Sequence, residues 1–356
     1  MGEVTVLMKK FASNLTTLVA VAFAVAVAQK GLAMGNYDFE QAWKDVAEAQ
    51  RKGLPRTVTN KLDEIGREAA AAARWPEAAR AFMVRANATR QFRDEQPQEW
   101  LPAFAASVDA QPAQLQAVLQ LHLAHTYDEN SSRWRWGGER PTKLDDEAAK
   151  DKMPPWSPEK INSTLEAQFA KVFEHADELK GMKLADWTDV FEKGVVPESY
   201  CPTLYDFAVR DAIEFYGRTI PDKTLEKGLA LYNRLIAFHR EDGNLDALAM
   251  AELDAAEYVK EFDNLPEKTR ESAFATFLDN FLKRHEGKTD VVAIAAAKKA
   301  ELLEESDLPA AHDLAAAYAA KWPSSIGGKM CSNIVSGIEE KSLAVNVERN
   351  WCAPWP

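Results

Sequence analysis

From Tyr37 onward, apolar residues recur at spacings of three and four with few interruptions, and no other feature narrows the fold as far. Such spacing puts them on one face of a helix, because side chains three and four apart share a side of a 3.6-residue turn. Phe39, Trp43, Val46 and Ala47 form the first stripe. Gly53-Leu54-Pro55 ends it, glycine stopping the helix and proline preventing its continuation. Val58, Leu62, Ile65, Ala69 and Ala72 make the second stripe, and Trp75-Pro76 opens a third through Ala78, Ala79, Phe82, Met83 and Ala86. Helices joined by turns this short pack antiparallel on their neighbours. Trp43 and Trp75 lie 32 residues apart, near the ~34-residue tetratricopeptide period, although the full repeat consensus is absent.

Pro97, Pro102 and Pro112 interrupt the next stretch before Leu115, Val118, Leu119 and His122 resume a helical face. Residues 128–157 lose all periodicity and hold Trp134-Arg135-Trp136-Gly137-Gly138 and Pro154-Pro155. A loop of that length inside a compact domain marks function or a boundary. Ser157-Pro158 starts a helix again, serine as cap and proline in the first turn. Thr203 and Asp206 resemble a capping box. Asp242-Gly243 and Leu265-Pro266 punctuate the stripes that follow. Near the end, Leu343, Val345 and Val347 alternate with Ala344, Asn346 and Glu348, the period of a strand. The expectation is an all-α chain. It has an antiparallel helical-hairpin (TPR-like) array over residues 37–127, a Trp- and Pro-containing loop over 128–157 and a second array over 158–323. An exit segment over 324–356 ends in a short C-terminal β-strand.

Lys9 and Lys10 precede an apolar run from Leu15 to Ala28, shorter than the ~20 residues a membrane-spanning helix needs. A basic start, a short apolar middle and a small-residue end read as a secretory signal peptide over residues 1–28, cleaved before Gln29 or, at a second candidate site, before Met34. Export to the periplasm or cell envelope is the expectation. The chain carries Lys+Arg 43 against Asp+Glu 55, a formal net charge of -12, which argues against a nucleic-acid partner and its basic footprint. Three cysteines, Cys201, Cys331 and Cys352, allow at most one internal bridge, and spacing does not decide whether Cys331 and Cys352 pair.

No catalytic constellation stands out: the chain has no HExxH, GxSxG, GxxxxGK[ST] or GxGxxG. His122 and His125 share a helix face, but no third metal ligand is evident. His175, His239, His285 and His312 each sit alone near a helix end, where the dipole explains them. No enzyme activity, metal or cofactor is expected. Trp134, Arg135 and Trp136 are the candidate partner-binding residues, since indoles and guanidinium groups concentrate at binding hot spots; alternatively both indoles fold back and pin the loop. A superhelical lytic transglycosylase is the enzyme-class alternative, but no glutamate stands in a suitable motif.

Several runs carry a family resemblance. Tyr37-Asp38-Phe39-Glu40-Gln41-Ala42-Trp43-Lys44-Asp45-Val46 followed by Gly53-Leu54-Pro55-Arg56-Thr57 resembles the opening of large bacterial alpha-2-macroglobulin-like proteins. Pro202-Thr203-Leu204-Tyr205-Asp206-Phe207 is similar to their middle signature, and Tyr232-Asn233-Arg234-Leu235-Ile236-Ala237-Phe238-His239-Arg240 to the helix after it. Cys331-Ser332-Asn333-Ile334 and Lys341-Ser342-Leu343 resemble the exit from the helical region. The resemblance spans residues 37–356 and implies an exported protein that traps endopeptidases. In that family a bait region, β-sandwich domains and often a Cys-x-Glu-Gln thioester do the trapping. No cysteine here is followed by that Glu-Gln pair, so no thioester residue carries over. The implied role is a non-enzymatic N-terminal helical accessory domain, the terminal strand leading toward a β-sandwich absent from the chain. Its partners would be proteins, the macroglobulin domains or a protease. The alternative is a free-standing periplasmic helical-repeat adaptor.

Overall fold

The computed structural model describes residues 37–93, 97–136, 158–191, 197–219, 224–262 and 265–351, and these form two compact units. The predicted signal peptide lies outside the described residues. Among those described, the fold is all-α: there is no strand, and an isolated antiparallel bridge joins Lys183 and Thr203. No helix among them is long and apolar enough to cross a membrane.

The first unit comprises residues up to Ile161 together with Trp187–Glu192. It holds α1 (Phe39–Arg51), α2 (Pro55–Ala71), α3 (Trp75–Arg93), α4 (Pro97–Asp109) and α5 (Ala113–Trp136). Asp38 caps α1, its Oδ1 accepting from the Gln41 amide at 2.9 Å. Gly53 turns the chain at φ +63°, a conformation that costs glycine nothing, and Pro55 then starts α2. Val46, Ala49, Val58, Leu62, Ile65 and Ala81 close into one core among α1, α2 and α3. Trp43 donates its Nε1–H to Glu77 Oε1 at 2.9 Å, and the Arg80 guanidinium stacks 4.3 Å from the Trp43 ring centroid. Pro102 does not break α4. It sits near the helix start, where its missing N–H forfeits one intrahelical bond.

The second unit comprises Asn162–Asp186 and Lys193–Pro356. It takes most of α6 (Pro158–Glu174), then α7 (Ala176–Lys180), α8 (Leu204–Thr219), α9 (Thr224–Asp242), α10 (Leu245–Phe262) and α11 (Glu267–His285). It continues with α12 (Val291–Leu303), α13 (Leu308–Lys321) and α14 (Ile326–Trp351). Each helix from α8 to α14 packs on the next in sequence, and α12 also touches α10 and α14. The first two turns of α12 are apolar on every side: Val291 through Ala297 are all buried, and so is Ala300, as befits a segment enclosed by its neighbours. Its alanines keep it thin, and Gly327 of α14 lies directly on its backbone.

Two predicted segments differ. Ser131, Ser132 and Arg133 carry no apolar stripe, yet the helix runs on through them to Trp136, so residues 128–136 are not loop. The remaining loop residues, 137–157, lie outside the described set. The predicted C-terminal strand is helix, since α14 continues to Trp351. Leu343 and Val347 are four apart, and so the same residues that alternate also share a helix face. A lone strand would have left its backbone groups without ladder partners, whereas a helix satisfies its own.

Candidate functional site

A short 3₁₀ turn at Glu198–Tyr200 and helices α8, α9 and α10 converge on a buried group of charges. Thr203 caps α8 as predicted. Its amide and hydroxyl donate to Asp206 Oδ2 at 3.1 and 2.6 Å, and the Asp206 amide donates back to its Oγ1 at 3.3 Å. The other oxygen of Asp206 faces His239 Nε2 at 2.7 Å and Arg210 at 3.5 Å. His239 Nδ1 is 3.0 Å from Asp242 Oδ2. Arg210 pairs with Asp254 of α10 at 3.1 Å and donates to the Tyr200 carbonyl at 3.4 Å. The Tyr200 hydroxyl donates to Asp290 at 2.7 Å, just before α12.

His239 and Asp206 are both fully buried. Burial alone would drive the imidazole to its neutral form, but the two carboxylates together outweigh it and hold its pKa above the usual value. A histidine with a carboxylate on each nitrogen donates twice only when protonated. Held that way, it cross-links α8 to the end of α9. The Thr203 hydroxyl spends its hydrogen bond on Asp206, and burial pushes the Cys201 thiol up to about 11.

In the same unit, α9, α10 and α11 leave an open apolar trough of about 410 Å³. Leu229 and Ile236 line it from α9, Ala255, Ala256 and Val259 from α10, and Ala273, Phe274 and Phe277 from α11. Leu229, Ile236, Ala256, Val259, Phe274 and Phe277 recur at helical spacing in the sequence. What the sequence did not show is that Leu229, Ile236, Val259 and Phe277 stay only half-buried once the helices have packed. Lys260, Arg270 and Arg284 stand at the edge with Glu252. No protein-family model, characterised protein or solved structure matches this chain.

Among the residues singled out by sequence, Trp134, Arg135 and Trp136 occupy the last turn of α5, and their side chains lie outside the described set. The His122 ring meets Phe104 edge-on at 6.1 Å. Among the described residues no three His, Cys, Asp or Glu side chains are grouped to hold a metal. Cys331 is a buried free thiol directed at the Ala293 carbonyl at 3.4 Å, and Cys352 lies outside the described residues. Burial pushes the Cys331 thiol up to about 11 as well. Iodoacetamide at pH 8 is therefore expected to spare Cys201 and Cys331 in the native protein and to label both in urea, read by peptide mass spectrometry. Rapid native labelling at either position would contradict the burial described.

Proposed function

We propose that this chain is a non-enzymatic helical accessory domain of an exported alpha-2-macroglobulin-like endopeptidase-trapping protein, acting by protein contact or positioning in the periplasm or cell envelope. One observation carries the reading. The two mid-chain runs that resemble the family meet in a single buried junction, Asp206 bonding His239 at 2.7 Å and the Tyr205 ring meeting Phe238 edge-on at 5.7 Å. Shared motifs that weld helices together are what a scaffold requires, and they account for the charged residues without chemistry. The TPR-like hairpin arrangement belongs to the same proposal. It is supported by packing between successive and alternate helices and by the Trp43–Glu77 bond across 34 residues.

Trapping by this family needs a bait and a reactive or strained element, and no cysteine here precedes a Glu-Gln pair. The purified chain in molar excess is therefore expected to leave several endopeptidases fully active on a large protein substrate. Strong inhibition would overturn the proposal and make Trp134, Arg135 and Trp136 the first residues to mutate. The apolar trough favours the second reading, a free-standing periplasmic helical-repeat adaptor. Sequencing the DNA that follows this coding segment separates the two, because only the first expects macroglobulin domains there.

A further inference from the structure

The trough on α9, α10 and α11 combines two properties that the fold alone does not require. Its lining is apolar and incompletely covered: Phe277 and Ile236 are half-buried, and Leu265 at its border is 51% exposed. Its edge is positive in a chain whose net charge is -12. Lys260 holds its ammonium 5.3 Å from the Phe274 ring centroid, over the trough's aromatic floor. Arg270 spends its N–H groups on the main-chain oxygens of Lys260, Glu261 and Leu265, which fixes the guanidinium at the edge without neutralising it. Arg284 bonds Glu252 at 2.6 Å, but that one carboxylate also faces Arg240 at 3.8 Å and His285 at 3.1 Å.

We propose that this trough docks an amphipathic segment of a partner protein whose carboxylates meet Lys260, Arg270 and Arg284; the proposal rests on the reading of the chain as a protein-contact domain. An apolar face set in a groove supplies affinity, and its anchors recur three, four and seven residues apart. Leu229 and Ile236 of its lining lie seven residues apart on α9, a span of ~10 Å or about two helical turns, the reach of such anchors. The cationic edge then selects the partner, because opposite charge steers association and like charge rejects competitors. A second copy is disfavoured for a different reason: two chains of net charge -12 repel one another as wholes.

The test is to pan a phage-displayed random dodecapeptide library on the full chain. A synthetic copy of each enriched sequence is then titrated by fluorescence anisotropy. Enriched peptides are expected to carry apolar residues at helical spacing flanked by Asp or Glu. Lys260→Glu is expected to weaken their binding about tenfold and to lessen its salt dependence. Ala273→Trp, an exposed position on the trough wall, is expected to abolish binding by filling the space while leaving the melting curve in place. No enrichment, enrichment without acidic residues, or binding that survives both variants would overturn the proposal. So would sedimentation showing self-association that Ala273→Trp removes, since the occupant would then be a second copy. The endopeptidase assay is scored separately. Inhibition there would remove the accessory-domain reading and leave the library result to decide the trough.

Discussion

Gly327→Ala is expected to lower the stability of the second unit by about 3 kcal/mol, the upper end of what overpacking costs. A Cβ at this position would stand 2.2 Å from the Ile294 amide nitrogen and 2.4 Å from the Ala293 carbonyl carbon. Both are backbone atoms of α12, a helix with no exposed face along Val291–Ala297 to retreat toward. A clash with the end of a side chain is relieved by a rotamer change; this one requires a helix to move. The matched control lies in the same helix. At Gly337 an added Cβ meets nothing within 4 Å, so Gly337→Ala gains only the ~0.5–1 kcal/mol that alanine gains over glycine in a helix. Thermal melts followed at 222 nm are expected to move in opposite directions, down about 6–12 °C for the first and up a few for the second. Equal small shifts would show that α14 does not lie on α12 as described.

The contrast between these glycines was not legible in the sequence. Both sit in the same helix among similar neighbours, and only the folded chain shows which one touches another helix. Helix punctuation was legible, because Gly53-Leu54-Pro55 and Thr203-x-x-Asp206 act through atoms within a few residues. The start of α12 at Val291 was not legible, because the buried run Val291–Ala297 has no polar face by which to place it. The errors came from the same source. Residues 128–136 lacked an apolar stripe, and Leu343 and Val347 fit the period of a strand and that of a helix at once. His239 was placed correctly in the last turn of its helix, where a dipole contact sufficed to explain it. Its partner Asp206 lies 33 residues away and Arg210 meets Asp254 across 44, distances at which one sequence carries no signal. The trough was hidden differently: its residues read as core, and only packing left them half-covered.

The same histidine makes the stability of the second unit depend on pH in a direction that can be worked out. The folded pKa of His239 is raised: burial opposes the charged form, but Asp206 and then Asp242 outweigh it. The unfolded value is about 6.5. A raised histidine contributes stability that is fully present below that value and disappears as pH climbs through the folded one. His285 has the opposite sign. Burial depresses it, helped by Arg284 and Lys288 against the pull of Glu252, and its contribution is lost as pH falls below 6.5 toward the lower folded value. The two limbs predict a maximum in urea stability near neutral pH, at about 6.5. His239→Asn is expected to flatten the alkaline limb and His285→Asn to lift the acid one. Removing the carboxylate is the severe change. Asp206→Ala at pH 6 strips an imidazolium and a guanidinium of a shared buried partner, a loss of about 3–5 kcal/mol when such a network is broken from one side. That cost should shrink as pH rises, because the intact protein then surrenders the proton that gave the pair its strength. Urea titrations of the wild type and these three variants between pH 5 and pH 9 measure this. A penalty for Asp206→Ala that grows with pH would mean His239 is neutral in the folded protein.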